Sequence, residues 1–167
     1  MVHFKTLAAV AATAALTLGA VLPAHAQAQL AQVSFQKTED AIKYRQSAFT
    51  VMAAHFGRVA GMAAGKIPFD APSAAASAAI ARTLSPLPIA GFVPGSDKGA
   101  PHRAKAEVWS DGAKFKAGAD DMVAAMAKLD AAAKTGDLEQ IKAAVGATGK
   151  TCKGCHDDYR AEKYSSN

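Results

Sequence analysis

A short motif near the C-terminus, Cys152-Lys153-Gly154-Cys155-His156, carries the most specific chemistry in this chain. The C-x-x-C-H spacing is the attachment signature of a c-type haem. On a helix, two thiols three residues apart lie on one side of a turn, where they can add to the two vinyl groups of a haem. His156, four residues after Cys152, points the same way. The motif therefore predicts two thioether bonds and an axial imidazole ligand for the iron.

Three other chemistries use two cysteines at this spacing: a thiol redox pair, half of a zinc site, and a disulfide in a tight turn. A structural zinc site needs two further ligands. Once an N-terminal signal peptide is removed, only His55, His102 and His156 remain, and no second pair of cysteines or histidines stands at close spacing. A disulfide between Cys152 and Cys155 stays open as an alternative.

Residues 1–26 have the pattern of a secretory signal peptide. A basic start is followed by an apolar run over residues 7–22 and by an A-x-A cleavage sequence at residues 24–26. We expect cleavage there and a mature domain over residues 27–167, exported to the periplasm, where haem is attached to C-x-x-C-H motifs. An uncleaved membrane anchor is the alternative interpretation.

Charge and length restrict the classes of function. Removal of the signal peptide takes away Lys5, so the formal charge falls by one from +5 to +4. About 140 residues remain, enough for one domain with one hydrophobic core. The charges are mixed in sign and form no run of Lys or Arg, which argues against nucleic acid as a partner. No second long apolar run follows, so we expect no membrane association of the mature chain.

Apolar residues recur every three or four positions in four segments, which predicts four helices. We expect helix A over about residues 34–64, helix B over 72–84, helix C over 104–134 and helix D over 137–163. The connection from Ile89 to Arg103 is rich in glycine and proline and long for a helical bundle. A loop of this length is suited to covering the edge of a cofactor.

Capping residues indicate where the predicted helices begin and end. Ser34 or Thr38 is expected to cap helix A, and Asp70 or Ser73 to cap helix B. Gly136 is expected to close helix C before helix D begins.

The predicted elements also place the motif. Cys152 and Cys155 continue the core-facing stripe of helix D, so the haem would be attached inside the bundle. No segment has the alternating pattern of a strand. This argues against a thioredoxin-like enzyme, whose C-x-x-C belongs near the start of a βαβ unit.

Taken together, the signal peptide, the four amphipathic helices and the C-terminal motif resemble the cytochromes c′, the class II c-type cytochromes. The resemblance covers the whole mature chain and is most specific in the segments Glu39–Ala48, His55–Arg58, Trp109–Asp111 and Cys152–Arg160. It implies an all-α, antiparallel up-down-up-down four-helix bundle with one covalently bound haem c per chain.

The resemblance implies roles for residues on both sides of the motif. Cys152 and Cys155 would form the thioethers and His156 the proximal bond to iron. Arg45 would pair with a haem propionate, and Gln46 beside it would contact the haem. The other interpretation of Arg45 is a surface residue that extends to water.

Phe49 determines the coordination number of the iron that the resemblance implies. It lies where the family places the residue over the open face of the iron, and phenylalanine has no lone pair to donate. The resemblance therefore implies a five-coordinate iron in an apolar distal pocket, which binds NO or CO. Met52, three residues further on, is the alternative sixth ligand, and its other interpretation is core packing.

Other candidate contacts follow from the same resemblance. Arg160, one turn after His156, matches an arginine of the proximal pocket, although it could also be a cation at a helix C-terminus. Phe92 and Ile89 match positions that pack near the haem, and Arg103 is a weaker candidate.

Two histidines stay outside this scheme. His55 and His102 are expected on the surface or in helix packing, away from the iron.

Two classes of function follow. One is a binding protein for small gases, and the other is an electron carrier that uses the Fe(III)/Fe(II) couple, favoured by a six-coordinate iron with Met52 as ligand. Enzymatic activity is not expected, because no nucleophile–base pair is evident. The resemblance also implies a homodimer that associates through helices A and B, and redox partners are not predicted.

Overall fold

The computed structural model describes residues 33–165. The signal peptide expected at residues 1–26 lies outside the described residues. Within the described range the chain forms five α-helices and one 3₁₀ turn: α1 (Thr38–Ala63), α2 (Ala71–Leu84), the 3₁₀ turn (Leu87–Gly91), α3 (Glu107–Ser110), α4 (Gly112–Thr135) and α5 (Leu138–Tyr159). No helix in this part of the chain is long and apolar enough to cross a membrane.

The four long helices form the predicted antiparallel bundle. α1 packs against α2, α2 against α4, α4 against α5, and α5 closes against α1. The predicted periodicity explains this arrangement, since each helix buries one stripe of apolar side chains toward the others. The shared core contains the residues Met52, Val59, Met62, Ala74, Ala78, Met122, Met126, Leu129 and Ile141.

Capping interactions mark the end of α1 and the start of α2. Gly65 has a φ of 68°, and the N–H groups of Gly65 and Lys66 donate to the carbonyls of Met62 and Gly61, as in a Schellman motif. The predicted Asp70 cap is confirmed, because its carboxylate accepts a hydrogen bond from Ser73 N–H.

The start of α1 differs from the prediction. The helix begins at Thr38 instead of near Ser34, and its N-cap is Lys37, which has extended backbone and makes no side-chain capping bond. The prediction of a Ser34 or Thr38 cap is therefore wrong. Glu39 and Asp40 in the first turn remain well placed for the positive end of the helix dipole.

The boundaries of helices C and D also differ from the prediction. Helix C does not run continuously from Ala104, because Asp111 has non-helical angles (φ −122°, ψ 49°) and separates α3 from α4. Helix D ends at Tyr159 and not near Lys163, because Arg160 turns extended and pairs with Ala104 in an isolated antiparallel bridge. Backbone pairing between two loop segments thus replaces the helical ends that periodicity suggests.

Candidate functional site

A cavity of about 510 Å³ lies between α1, α4 and α5, beneath the loop that joins α2 to α4. Its volume is in the range of small-molecule and cofactor sites. Its wall is mostly aromatic and aliphatic, with cationic groups among the lining residues. The predicted site residues that line it are Arg45, Gln46, Phe49, Met52, Ile89, Phe92, Arg103, Cys152, Cys155, His156 and Arg160.

The two cysteines are free thiols on the last turns of α5, and both are half-buried in the cavity wall. Burial raises the pKa of the Cys152 thiol and also that of Cys155, to whose shift Cys152 and Asp158 contribute. A thiol pair used for redox catalysis normally has a lowered pKa instead. The electrostatics of this pair do not match a reactive redox dithiol.

His156 shares the cavity wall with the two cysteines. Desolvation is the largest influence on its imidazole, and the guanidinium groups of Arg160 and Arg103 act in the same direction, so its pKa is lowered. A lowered pKa favours the neutral imidazole, which is the form that binds metals. Within residues 33–165 no group of three or more His, Cys, Asp or Glu side chains is arranged to hold a metal ion by itself.

Arg45 is buried, with 2 % of its surface exposed, so its interpretation as a surface arginine is wrong. Its Nη1 donates to the Gly91 carbonyl (2.9 Å) and to Ser96 Oγ (2.7 Å), and Nη2 donates to the Ser96 carbonyl (2.8 Å). The guanidinium lies 4.5 Å from the centroid of the Phe92 ring. Burial lowers the pKa of Arg45 to about 10, although Asp97 acts in the opposite sense, so the group stays charged at neutral pH.

Gly91 explains why Arg45 reaches the loop so closely. A Cβ on Gly91 would lie 2.7 Å from the Ala41 carbonyl oxygen and 2.7 Å from the Cβ of Arg45. Only glycine lets the 3₁₀ turn approach α1 at this distance. The loop is therefore held on α1 directly beside the cavity, and Gln46 adds a hydrogen bond from Nε2 to the Pro101 carbonyl (2.9 Å).

Aromatic side chains form one wall of the cavity. Phe92 contacts Phe115 edge-on, with ring centroids 4.9 Å apart, and Phe115 contacts Tyr159 in the same way at 5.2 Å. Phe49 approaches Phe92 with a centroid distance of 6.4 Å. Trp109 packs against Phe92, with ring centroids 6.2 Å apart, and anchors the loop through a hydrogen bond from Nε1 to the Val93 carbonyl.

His102 lines the cavity although the sequence did not indicate it. It was expected on the surface or in helix packing, but it is buried in the loop, 5 % exposed, and lines the cavity. Tyr164 lines the cavity as well. The length of the loop and the nearby Trp109 were the available signals, but a loop without periodicity does not indicate which side chain turns inward. His55 does not line the cavity and stays half-buried on α1.

The cavity and its residues fit a haem. An apolar space of this size suits a flat macrocycle, and two half-buried thiols with a neutral imidazole on the same wall are the donor set that C-x-x-C-H supplies. When bound, a c-type haem would supply a redox-active iron.

Comparison with known proteins agrees with this fit. The profile of the family described as Cytochrome C′ matches residues 40–160. The chain belongs to the cytochrome c′ family. Its cofactor is accordingly a covalently attached haem c.

Individual relatives support this assignment over nearly their whole length. The chain is 64% identical over 126 residues to cytochrome c′ of Rubrivivax gelatinosus, covering 75% of this chain and 98% of that protein. It is 47% identical over 129 residues to cytochrome c′ of Alcaligenes xylosoxydans xylosoxydans, covering 77% and 99%.

Solved cytochrome c′ structures share the fold. The crystal structure from Rubrivivax gelatinosus superposes with a TM-score of 0.74 at 63% identity and covers 76% of this chain and 99% of that one. A nitric oxide complex of a variant cytochrome c prime from Alcaligenes xylosoxidans superposes with a TM-score of 0.72 at 47% identity, covering 78% and 100%. The predicted four-helix bundle with attached haem is confirmed.

Proposed function

We propose that this chain is a periplasmic haem protein whose five-coordinate, histidine-ligated iron binds NO and CO and can exchange electrons, and that it is not an enzyme. The observation that carries the proposal is the composition of the cavity wall. Besides His156, which would ligate the iron on the proximal side, α1 turns Phe49, Met52 and Phe56 toward the same cavity. Neither phenylalanine can donate a lone pair to iron. The relative seen with nitric oxide bound adds support.

In this proposal each residue of the site has a separate role. Cys152 and Cys155 would hold the macrocycle by thioether bonds, and His156 would supply its imidazole to the iron. The apolar ring of Phe49 excludes water from the open side of the iron and offers no hydrogen bond, which disfavours O₂ relative to NO and CO. Arg160 flanks the proximal imidazole.

Arg45 and Gln46 are proposed to meet the propionate edge. Three N–H groups of Arg45 are already used by the loop, but its Nε and one Nη2 hydrogen make no hydrogen bond within residues 33–165. Those donors are what a carboxylate would use. Phe92 packs on the guanidinium and, with Arg103, is proposed to contact the macrocycle edge.

Met52 defines the alternative function, a six-coordinate low-spin electron carrier. This methionine lines the cavity, yet it is 5 % exposed and packs within the bundle core. Core packing accounts for its position without a bond to iron.

The absorption spectrum of the mature holoprotein, ferric and then ferrous, with and without CO, tests the proposal. We expect high-spin spectra and a shift on addition of CO. Met52→Leu keeps the side-chain volume and is expected to leave the spectra unchanged. Phe49→Met is the positive control, which should introduce a thioether and give a low-spin spectrum. A low-spin wild type that becomes high-spin in Met52→Leu would instead establish the electron carrier.

We further propose that the protein is a homodimer that associates through α1 and α2. Val51 on α1 and Ile80 on α2 are large apolar residues with 47% and 40% of their surface exposed. Light scattering after gel filtration should give twice the chain mass. Val51→Asp should shift it toward the monomer, whereas Lys142→Glu on α5 should not. A monomeric wild type at micromolar concentration would contradict this proposal.

A further inference from the structure

We propose that His102, in its neutral form, is a positioning residue that holds the segment Val93–Ala104 closed over the edge of the cavity, and that protonation of its ring releases this segment. We call Val93–Ala104 the cover segment. The proposal concerns closure of the cavity and does not depend on the coordination number of the iron.

Two hydrogen bonds fix the protonation state of the ring. The Ala104 N–H donates to Nδ1 of His102 (3.1 Å), so Nδ1 carries a lone pair and no hydrogen. Nε2 lies 2.9 Å from the Asp97 carbonyl oxygen, which can only accept, so Nε2 carries the hydrogen. Both bonds are satisfied together only by the neutral Nε2–H tautomer. In this form the ring ties the middle of the cover segment to its end.

The backbone of His102 ties the same segment to the C-terminal residues Arg160–Ser165. Ser165 N–H donates to the His102 carbonyl (2.7 Å), and His102 N–H donates to Ser165 Oγ (3.1 Å). Ala161 N–H donates to the Arg103 carbonyl (2.7 Å). This pairing continues directly from α5, the helix that carries the haem-attachment motif. A displacement of His102 would therefore move both the cover segment and the residues that follow α5.

A second anchor holds the other end of the cover segment but does not titrate in the same range. Arg45 binds Ser96, within the cover segment, and the carbonyl of Gly91 just before it. With its pKa at about 10, Arg45 keeps its charge throughout the neutral and mildly acidic range. Gln46, through the Pro101 carbonyl, and Trp109, through the Val93 carbonyl, also hold the cover segment, and neither of these side chains ionises in this range. Histidine is the side-chain type that changes charge between about pH 5 and 8.

Protonation opposes closure because of the geometry at Nδ1. A proton on Nδ1 would face the Ala104 N–H, so two donors would point at one another and the hydrogen bond would be lost. Asp97 contributes its backbone carbonyl to the ring. The other charged and titratable groups that share the cavity wall are Arg45, Arg103, Cys152, Cys155, His156, Tyr159, Arg160 and Tyr164. The two donors at Nδ1 would oppose one another whatever group neutralises the neighbouring guanidinium groups.

Hydrogen–deuterium exchange of the holoprotein from pH 8 to pH 5, corrected for intrinsic exchange rates, tests the proposal. We expect protection of the amides of Val93–Lys105 and Ala161–Ser165 to fall about fivefold to tenfold toward pH 5, the scale of one lost hydrogen bond. The amides of α4 should keep their protection. His102→Gln should remove the pH dependence, and His55→Gln, outside the cavity wall, should retain it.

The outcomes separate this proposal from the proposed gas-binding function. A flat profile in the wild type, or an unchanged pH dependence in His102→Gln, would overturn the role of His102. If His102→Gln gives no folded protein, the wild-type profile alone decides. The CO association rate of the ferrous protein should rise as the segment opens. A wild type that binds no CO would count against the five-coordinate iron, and the exchange profile would still decide on His102.

Discussion

The core shared by the four long helices and the cavity between α1, α4 and α5 are two regions of one bundle that bury their side chains to different degrees. In the core, Val59, Leu129 and Ile141 are completely buried. At the cavity, Cys152 and Cys155 are only half-buried, and His156 has still more exposed surface. The difference indicates that close packing in one region holds the helices apart in the other, so that the space for the cofactor is formed by the fold.

Methionines lie at the boundary between these two regions. Met52, Met122 and Met126 belong to the buried core and also line the cavity. Their flexible thioether side chains can fit irregular space on either side. The core and the cavity are thus continuous. A substitution in one region should therefore alter side-chain packing in the other, and more strongly where the substituted residue is more buried.

Removal of the two cysteines that attach the haem is expected to have the largest effect, on both haem content and thermal stability. Replacing both Cys152 and Cys155 by alanine should abolish covalent haem and leave the 510 Å³ cavity without the group that it fits. Haem covalently retained on a denaturing gel and the thermal unfolding midpoint would measure this. Lys153→Ala, an exposed position in the same turn, is the matched control and should retain full haem. Covalent haem in the double variant would contradict the assigned linkage.

Truncation in the core is expected to cost more stability than truncation at the cavity. Leu129 is fully buried, so Leu129→Ala should lower the free energy of unfolding by about 2–5 kcal/mol. Phe49 is half-buried at the cavity, so Phe49→Ala should cost less and instead change the ligand-binding rate. Urea unfolding of the two holoproteins makes the comparison. Equal losses would mean that the cavity wall carries as much packing energy as the core.

The sequence predicted the core better than the cavity edge. Apolar spacing identified all four long helices, because helical periodicity fixes which side chains share a face. It missed His102 and the ends of helices C and D. Those features depend on backbone pairing between residues 102–105 and 160–165, which are more than fifty positions apart. No local pattern encodes such a contact.

The contact between the 3₁₀ turn and α1 tests how closely the residues at the cavity edge are packed. Gly91→Ala would put a methyl group 2.7 Å from the Ala41 carbonyl oxygen, so the turn must move away from Arg45 at a cost of about 1–3 kcal/mol. Gly57→Ala is the matched control, because nothing lies within 4 Å of its added Cβ. That change should be neutral or stabilising by up to about 1 kcal/mol. Chemical denaturation of both variants measures the difference, and equal effects would contradict the close approach.

The smallest expected effect concerns Asp130, a buried carboxylate in the α2–α4 contact. Its Oδ2 accepts hydrogen bonds from Arg82 (2.9 Å) and Lys134 (2.8 Å), while Asp130 itself is 2 % exposed. Desolvation raises the pKa of this carboxyl, but the hydrogen bonds and charges of Lys134 and Arg82 together outweigh it, so the pKa is lowered from 3.8. At neutral pH, Asp130→Asn should cost about 1 kcal/mol, because both cations remain partly solvated.

The lowered pKa fixes the sign of the pH dependence. Because the folded-state pKa lies below that of the unfolded chain, the contribution of Asp130 is complete above about pH 4 and is lost as pH falls through the folded value. The stability difference between wild type and Asp130→Asn should therefore be constant from pH 7 to 5 and shrink below about pH 4. Asp120→Asn, which removes an exposed ion pair with Lys116, should change stability by less than about 0.5 kcal/mol. If the two variants behaved alike at every pH, burial in the core would not be what makes the Asp130 ion pairs matter.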